Sequence, residues 1–324
     1  MFCPASVRSL LVWHDHGSWM ESFVAGPHRY VIPLNPVNDA EARGLCGRKW
    51  PRAQEVPVNK LRDEDIDLVV LQRPEERDLA ARWLGRRPGV DIPAVYVEHN
   101  TPRPFAVDSV HPVAGRDDIP LIHVTDFNQL MWDNGVAPTQ VIAHAMADPG
   151  YLYTGEIPAA ATMINEPLRR WRTVGADLLA ELGAHTPIDV WGIDTVALND
   201  ARRASQVRGK GDIAAPRLLR QVARRRVYLH TARWTSLGMS LVEAMYLGMP
   251  VVAVASTMAP LMVPAEAGVV NADVKTLAYA LEGFVTDLPA ARAAGKAARD
   301  FAMARFALDR FLAEWEGVIN ECCE

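Results

Sequence analysis

The stretch from Arg226 to Ser256, RVYLHTARWTSLGMSLVEAMYLGMPVVAVAS, constrains the fold more than any other part of the chain. Val227 to His230 is a short apolar run with a β-branched start, the pattern of a parallel strand covered on both faces. Thr235, Ser236 and Gly238 then mark a helix start. Leu241 to Leu247 is helical in spacing, Gly248 suits a left-handed cap, and Pro250 forbids continuation. Val251 to Ala255 reads as the next buried strand. Strand, glycine-bearing loop, short helix, tight turn and strand make one βαβ unit.

The first turn of a helix leaves backbone N–H groups unpaired and carries about half a positive charge. A phosphate over Leu237 to Ser240 would meet both deficits. Glu243 lies one turn further in. Two readings are open for it: a carboxylate whose paired acceptors suit the vicinal hydroxyls of a ribose, or an acidic side chain favoured by the helix dipole alone.

From Thr235 to Val252 the chain resembles the retaining GT-B glycosyltransferases of family 4. Their motif E-P-F-G-x-x-x-x-E-A-M-A-x-G-x-P-V-V runs in register with T-S-L-G-M-S-L-V-E-A-M-Y-L-G-M-P-V-V. The resemblance implies an α/β protein of two Rossmann-like domains facing a cleft, with the last helix returning to the first domain. It also implies a nucleotide-sugar donor held by Thr235, Ser236, Leu237, Gly238, Met239 and Ser240, with Glu243 on the ribose. Thr235 stands where the family carries the first glutamate of an E-x7-E pair, near the transferred sugar. A threonine offers a hydrogen bond there and no charge.

Composition agrees with a soluble two-domain chain. Its 324 residues suffice for two ordinary cores and 49% are hydrophobic. A net charge of −5 does not favour nucleic acid or an anionic membrane as partner. Four cysteines, Cys3, Cys46, Cys322 and Cys323, have no zinc spacing and are too few for a disulfide framework, which points to the reducing cytoplasm. Pro4 and Arg8 break the apolar start, so it does not read as a signal peptide. No apolar run approaches the ~20 residues of a membrane span.

Residues 1–149 are expected to form the first domain. Ser9–Trp13, Tyr30–Leu34, Asp67–Leu71, Ala94–Glu98, Leu121–Thr125 and Gln140–His144 are its candidate strands, apolar runs with polar ends beyond which ligands of doubly wound sheets sit. After the first strand come His14, His16 and Gly17, with Ser18 and Glu21 at capping-box spacing. His-x-His without a third ligand does not argue for a metal. Asp126 and Asn128 read as helix caps. Glu98-His99-Asn100 is the polar tip of another strand. The resemblance places Gly17 beside the donor phosphates or the acceptor, and His99 at the transferred sugar.

Residues 150–305 are expected to form the donor domain, and 306–324 a helix with the apolar stripe Phe306, Phe311, Leu312, Trp315, Val318 and Ile319, which the resemblance implies packs on the first domain. After the strand Ala161–Asn165 come Arg169, Arg170 and Arg172, a local anion site. Arginine forks pair bidentately with phosphate and keep their charge. The family's basic pair neutralising the pyrophosphate lies at this position, which makes Arg170 and Arg172 catalytic candidates and Arg169 a donor contact. Leu198 to Pro216, with Arg202, Arg203, Arg208 and Lys210, reads as a helix and loop excursion. Arg217, Arg220, Arg224, Arg225 and Arg226 read as the exposed face of the helix Leu218–Arg226.

The function so implied is transfer of a hexosyl unit from a nucleoside-diphosphate sugar to an unidentified acceptor with retention of configuration, without metal or other cofactor. Two alternatives stand beside it: a nucleotide-sugar epimerase of the same architecture, and a non-catalytic sugar-nucleotide binding module.

Overall fold

The computed structural model describes residues 7–199 and 206–324. Cys3, Pro4, Arg202 and Arg203 lie outside them. The chain divides into two compact units, Met1–Ala147 with Phe306–Glu324, and Asp148–Arg305.

The first unit is built on a seven-stranded parallel sheet of β1 (Ser9–Val12), β2 (Arg29–Leu34), β3 (Ala53–Pro57), β4 (Leu68–Leu71), β5 (Ala94–Glu98), β6 (Leu121–His123) and β7 (Thr139–Val141). They pair in the order β3-β2-β1-β4-β5-β6-β7. Both faces are covered, so alternate residues of one strand serve different cores. Leu10 and Val12 pack on one side with Trp19 and Tyr30, while Leu11 and Trp13 pack on the other with Val69 and Leu79. Helices α1 (Gly17–Phe23), α2 (Glu76–Leu84) and α3 (Asp126–Met131) belong to this unit.

The expected capping box does not form: α1 begins at Gly17, behind His16, with no side-chain cap. Glu21 is instead engaged by Arg48 and by the Trp50 indole, at 2.9 Å each. The start of α3 is capped by Thr125, which accepts from the Asn128 amide, rather than by Asp126 or Asn128. Strand β3, AQEVP, was not expected from its pattern. It is an edge strand in which only Val56 is fully buried, so its hydrophobic signal is weak.

The second unit holds a six-stranded parallel sheet of β8 (Ile157–Met163), β9 (Ile188–Trp191), β10 (Val207–Gly211), β11 (Arg225–His230), β12 (Val251–Val254) and β13 (Gly268–Asn271), in the order β10-β9-β8-β11-β12-β13. Its helices are α4 (Leu179–Leu182), α5 (Ala215–Val222), α6 (Met239–Leu247), α7 (Ala259–Met262), α8 (Val274–Thr286) and α9 (Leu288–Arg305). Part of the expected excursion 198–216 is thus the edge strand β10, whose sequence VRGKG has one apolar residue. The arginine run is also split. Arg225 and Arg226 open β11, and Arg225 is buried, forking onto Asp189 Oδ2 at 2.9 and 2.6 Å with its guanidinium 4.7 Å above the Trp191 ring.

The last helix, α10 (Leu308–Cys323), is part of the first unit. Phe311, Trp315, Val318 and Ile319 recur at i, i+4, i+7 and i+8 and join the Trp19 core. Trp315 meets Phe23 edge-on at 5.0 Å and Trp19 at 5.7 Å, and Glu316 reaches the buried His28 at 3.1 Å. Trp315→Ala is expected to cost about 3–5 kcal/mol of stability, read as a lower denaturant midpoint. An unchanged midpoint would contradict this account of the core.

Candidate functional site

A cavity of about 490 Å³ opens beyond the C-terminal ends of the strands of the second unit. Its wall is assembled from strand ends: Thr162 and Met163 of β8, Trp191 and Gly192 of β9, Asp212 and Ile213 beyond β10, His230 and Thr231 of β11, and the start of α6 with Gly238, Ser240 and Glu243. Ligands of parallel α/β sheets bind at such ends because the helix starts and loops gather there.

The loop after β8 is fixed before it reaches the cavity. Gly192, at φ 133, lies so close to the Ile164 carbonyl that a Cβ would collide with it. The Glu166 amide donates to Ile193 O (2.8 Å) and the Ile193 amide to Asn165 Oδ1 (3.0 Å). Further along, Gly175, at φ 71, sits against the Thr231 carbonyl with no room for a side chain. The Thr231 hydroxyl donates to Val174 O at 2.7 Å, and Arg233 forks onto Asp177 at 2.6 and 2.9 Å. That fork is the main reason the Asp177 carboxyl is held below its ordinary pKa.

These ties decide which arginine faces the cavity. Arg170 lines it. Arg169 is drawn to Glu166, three residues back, and is 68% exposed. Arg172 pairs with Asp177 at 3.1 Å and is 74% exposed. The three arginines expected to act together are therefore one cavity residue and two surface ion pairs.

Gly238 holds the start of α6 in the left-handed region, at φ 71, and no side chain caps the helix. Thr235, Gly238, Ser240 and Glu243 line the cavity, while Ser236 and Leu237 are buried and Met239 is the first residue of the helix. Glu243 is half-buried, and no described residue gives its carboxyl an ion pair or hydrogen bond. Burial alone raises its pKa. Sequence reasoning missed His230, which also lines the cavity. It ends an apolar strand pattern and looks like core.

Gly17 and His99 lie in the first unit, beyond the ends of β1 and β5. His99 is buried, stacked on His16 with ring centroids 3.8 Å apart, edge-on to Trp19 at 5.2 Å, and 5.8 Å from His144. Its Nε2 and the His144 Nδ1 are buried without a partner. Burial, reinforced by His16 and His144, holds the His99 pKa well below its ordinary value, and burial brings that of His144 to about 3. Both rings are neutral at physiological pH. Nearby in sequence, Asp15 is bound by Arg73 at 2.5 Å, and Arg73 also holds the fully buried Glu76 at 2.9 Å. Among the described residues no group of three His, Cys, Asp or Glu is arranged to hold a metal ion, and no helix is long and apolar enough to cross a membrane.

Residues 206–301 match the family of glycosyl transferases group 1. No curated protein matches the chain. Among solved structures it resembles Alr3699/HepE of Anabaena in complex with UDP, with a TM-score of 0.74 at 15% identity over 97% of this chain and 100% of that one. Sucrose-phosphate synthase of Thermosynechococcus elongatus gives a TM-score of 0.69 at 14% identity over 97% and 98%. TarM of S. aureus gives 0.64 at 16% identity over 78% of this chain, which spans only 55% of the TarM chain. The fold is that of the GT-B glycosyltransferases, two parallel-sheet α/β units.

Glu243 gives a pH-dependent test. Its folded pKa is raised, so folding is favoured most while the group is protonated, and stability is lost as pH rises from the ordinary glutamate value through the raised one. Glu243→Gln removes that loss. The variant is expected to melt higher than wild type at neutral pH, with the difference vanishing below about pH 4, as read by differential scanning fluorimetry.

Proposed function

We propose that the chain is a glycosyltransferase that binds a nucleoside-diphosphate sugar in the cavity of the second unit and passes a hexosyl group to an acceptor with retention of configuration. The observation that carries this reading is the half-buried Glu243 carboxyl, without an internal partner, in the same cavity as Arg170 and the uncapped start of α6. A cation and free amides suit a diphosphate; a carboxylate with open acceptors suits a diol. One ligand carries both groups.

Breaking the anomeric C–O bond sends its electron pair to the diphosphate and leaves an oxocarbenium-like sugar. Donors already in place for that charge are worth roughly 2.7–4 kcal/mol each. Arg170 and the amides of the first turn of α6 serve the leaving group, and Glu243 holds the ribose. No residue of the cavity is needed as a covalent nucleophile, since the leaving phosphate itself can accept the acceptor's proton. The reading uses no metal or other cofactor. Cytoplasmic action is proposed on the small number of cysteines, of which Cys46, Cys322 and Cys323 are free among the described residues.

The test is calorimetric titration with UDP, GDP, ADP and their sugars, with and without EDTA. One nucleoside diphosphate is expected to bind equally well in both, and absence of binding to all three would refute the reading. Glu243→Ala is expected to weaken binding about 10-fold or more, the loss of charged hydrogen bonds. Arg170→Ala is expected to lower turnover of the donor far more than Arg169→Ala or Arg172→Ala; equal effects would remove Arg170 from the site. Thr235 favours a second reading, nucleotide-sugar binding without turnover. It would be supported by saturable binding with no release of nucleotide over a broad acceptor panel.

A further inference from the structure

His230 is the last residue of β11 and lines the cavity, yet it is only 6% exposed. Its ring lies directly under the start of α6. A Cβ on Gly238 would come within 2.7 Å of its Cε1 and 3.1 Å of its Nε2, so the Nε2 edge is packed beneath the glycine that opens the helix. The neighbouring polar side chain at this strand end, Thr231, is committed to Val174 O. His230 has no hydrogen-bond partner among the described residues, and burial holds its pKa down to about 4. Unlike His99 Nε2 and His144 Nδ1, its ring nitrogens are not sealed from the surroundings, so they are open to a ligand in the cavity. A neutral imidazole carries one N–H donor, which suits an anion.

Resting on the donor-site reading above, we propose that His230 contacts the donor itself, its ring N–H donating to the diphosphate held at the start of α6 beside Arg170. Arg170 supplies charge, the amides supply direction, and the imidazole supplies a donor from below the helix. The sugar-side phosphate is the group it serves, since the ribose belongs to Glu243. No proton need move for this role: the imidazole enters neutral and leaves neutral, and the bond to the phosphate strengthens as charge develops on the leaving oxygen.

The experiment titrates wild type, His230→Phe, His230→Gln and His230→Asn with UDP and with UMP. UDP is the nucleotide in the Anabaena structure. His230→Phe is expected to weaken UDP roughly 10- to 100-fold and UMP much less. Gln, whose amide nitrogen reaches the place of Nε2, recovers most of the UDP affinity, and the shorter Asn does not. The Gln and Asn pair keeps the test valid if Phe disturbs the packing under Gly238, and melting of each variant without ligand reports that disturbance. Equal losses of UDP and UMP, no loss at all, or Asn and Gln behaving alike would overturn the proposal while leaving the donor site standing. Wild type that binds none of UDP, GDP and ADP overturns the donor site and the proposal together; where GDP or ADP is the one bound, the same comparison is run with it and its monophosphate.

Discussion

The cavity depends on a seam where backbone meets backbone with no space for a side chain. Gly175 lies against the Thr231 carbonyl, and on either side of it the Thr231 hydroxyl, the Arg233 guanidinium and the Asp177 carboxylate tie the loop after β8 to the loop after β11. One loop brings Arg170 and the other leads into α6. Their joining is what places a cation and a helix start around one volume. A left-handed glycine at a contact this close leaves little scope for replacement, because any Cβ meets both the conformational cost and the carbonyl.

Charge within that volume is sparse and unpaired, whereas the arginines that flank it are paired. Arg169, Arg172 and Arg233 are each balanced by Glu166 or Asp177, and Arg225 by Asp189 deep in the sheet. Arg170, Glu243 and His230 line the cavity without an ion pair among the described residues. Interaction energy that is not used within the fold is available to a ligand. The price is a cavity that is less stable empty than its neighbours in the sheet, visible in the raised Glu243 carboxyl and the lowered His230 imidazole.

The first unit shows the same economy in a different chemistry. Its strand ends gather the half-buried His16, stacked on His99, and the buried His99 and His144 beside Trp19. Trp19 in turn belongs to the aromatic cluster that α10 completes with Phe311 and Trp315. A helix from the far end of the sequence therefore supports the turn that carries Gly17.

Most of the architecture was legible in the sequence, since runs such as Leu68–Leu71 and Val251–Val254 are apolar throughout and can only be strands buried on both faces. The stripe of α10 and the βαβ unit around Gly238 and Glu243 were readable for the same reason, that periodicity and glycine placement are local. Edge strands β3 and β10 were not, because a strand paired on one side needs little hydrophobic pattern to persist. Nor could the sequence choose among Arg169, Arg170 and Arg172, or assign Arg225 to the core and His230 to the cavity. The arginine outcomes rest on partners 3 to 36 residues away in the chain, Glu166 for Arg169, Asp177 for Arg172 and Asp189 for Arg225. The sequence by itself determined the elements and the helix start that suits an anion; only the tertiary structure decided which side chains remain unpaired around it, because pairing is settled by distance in space.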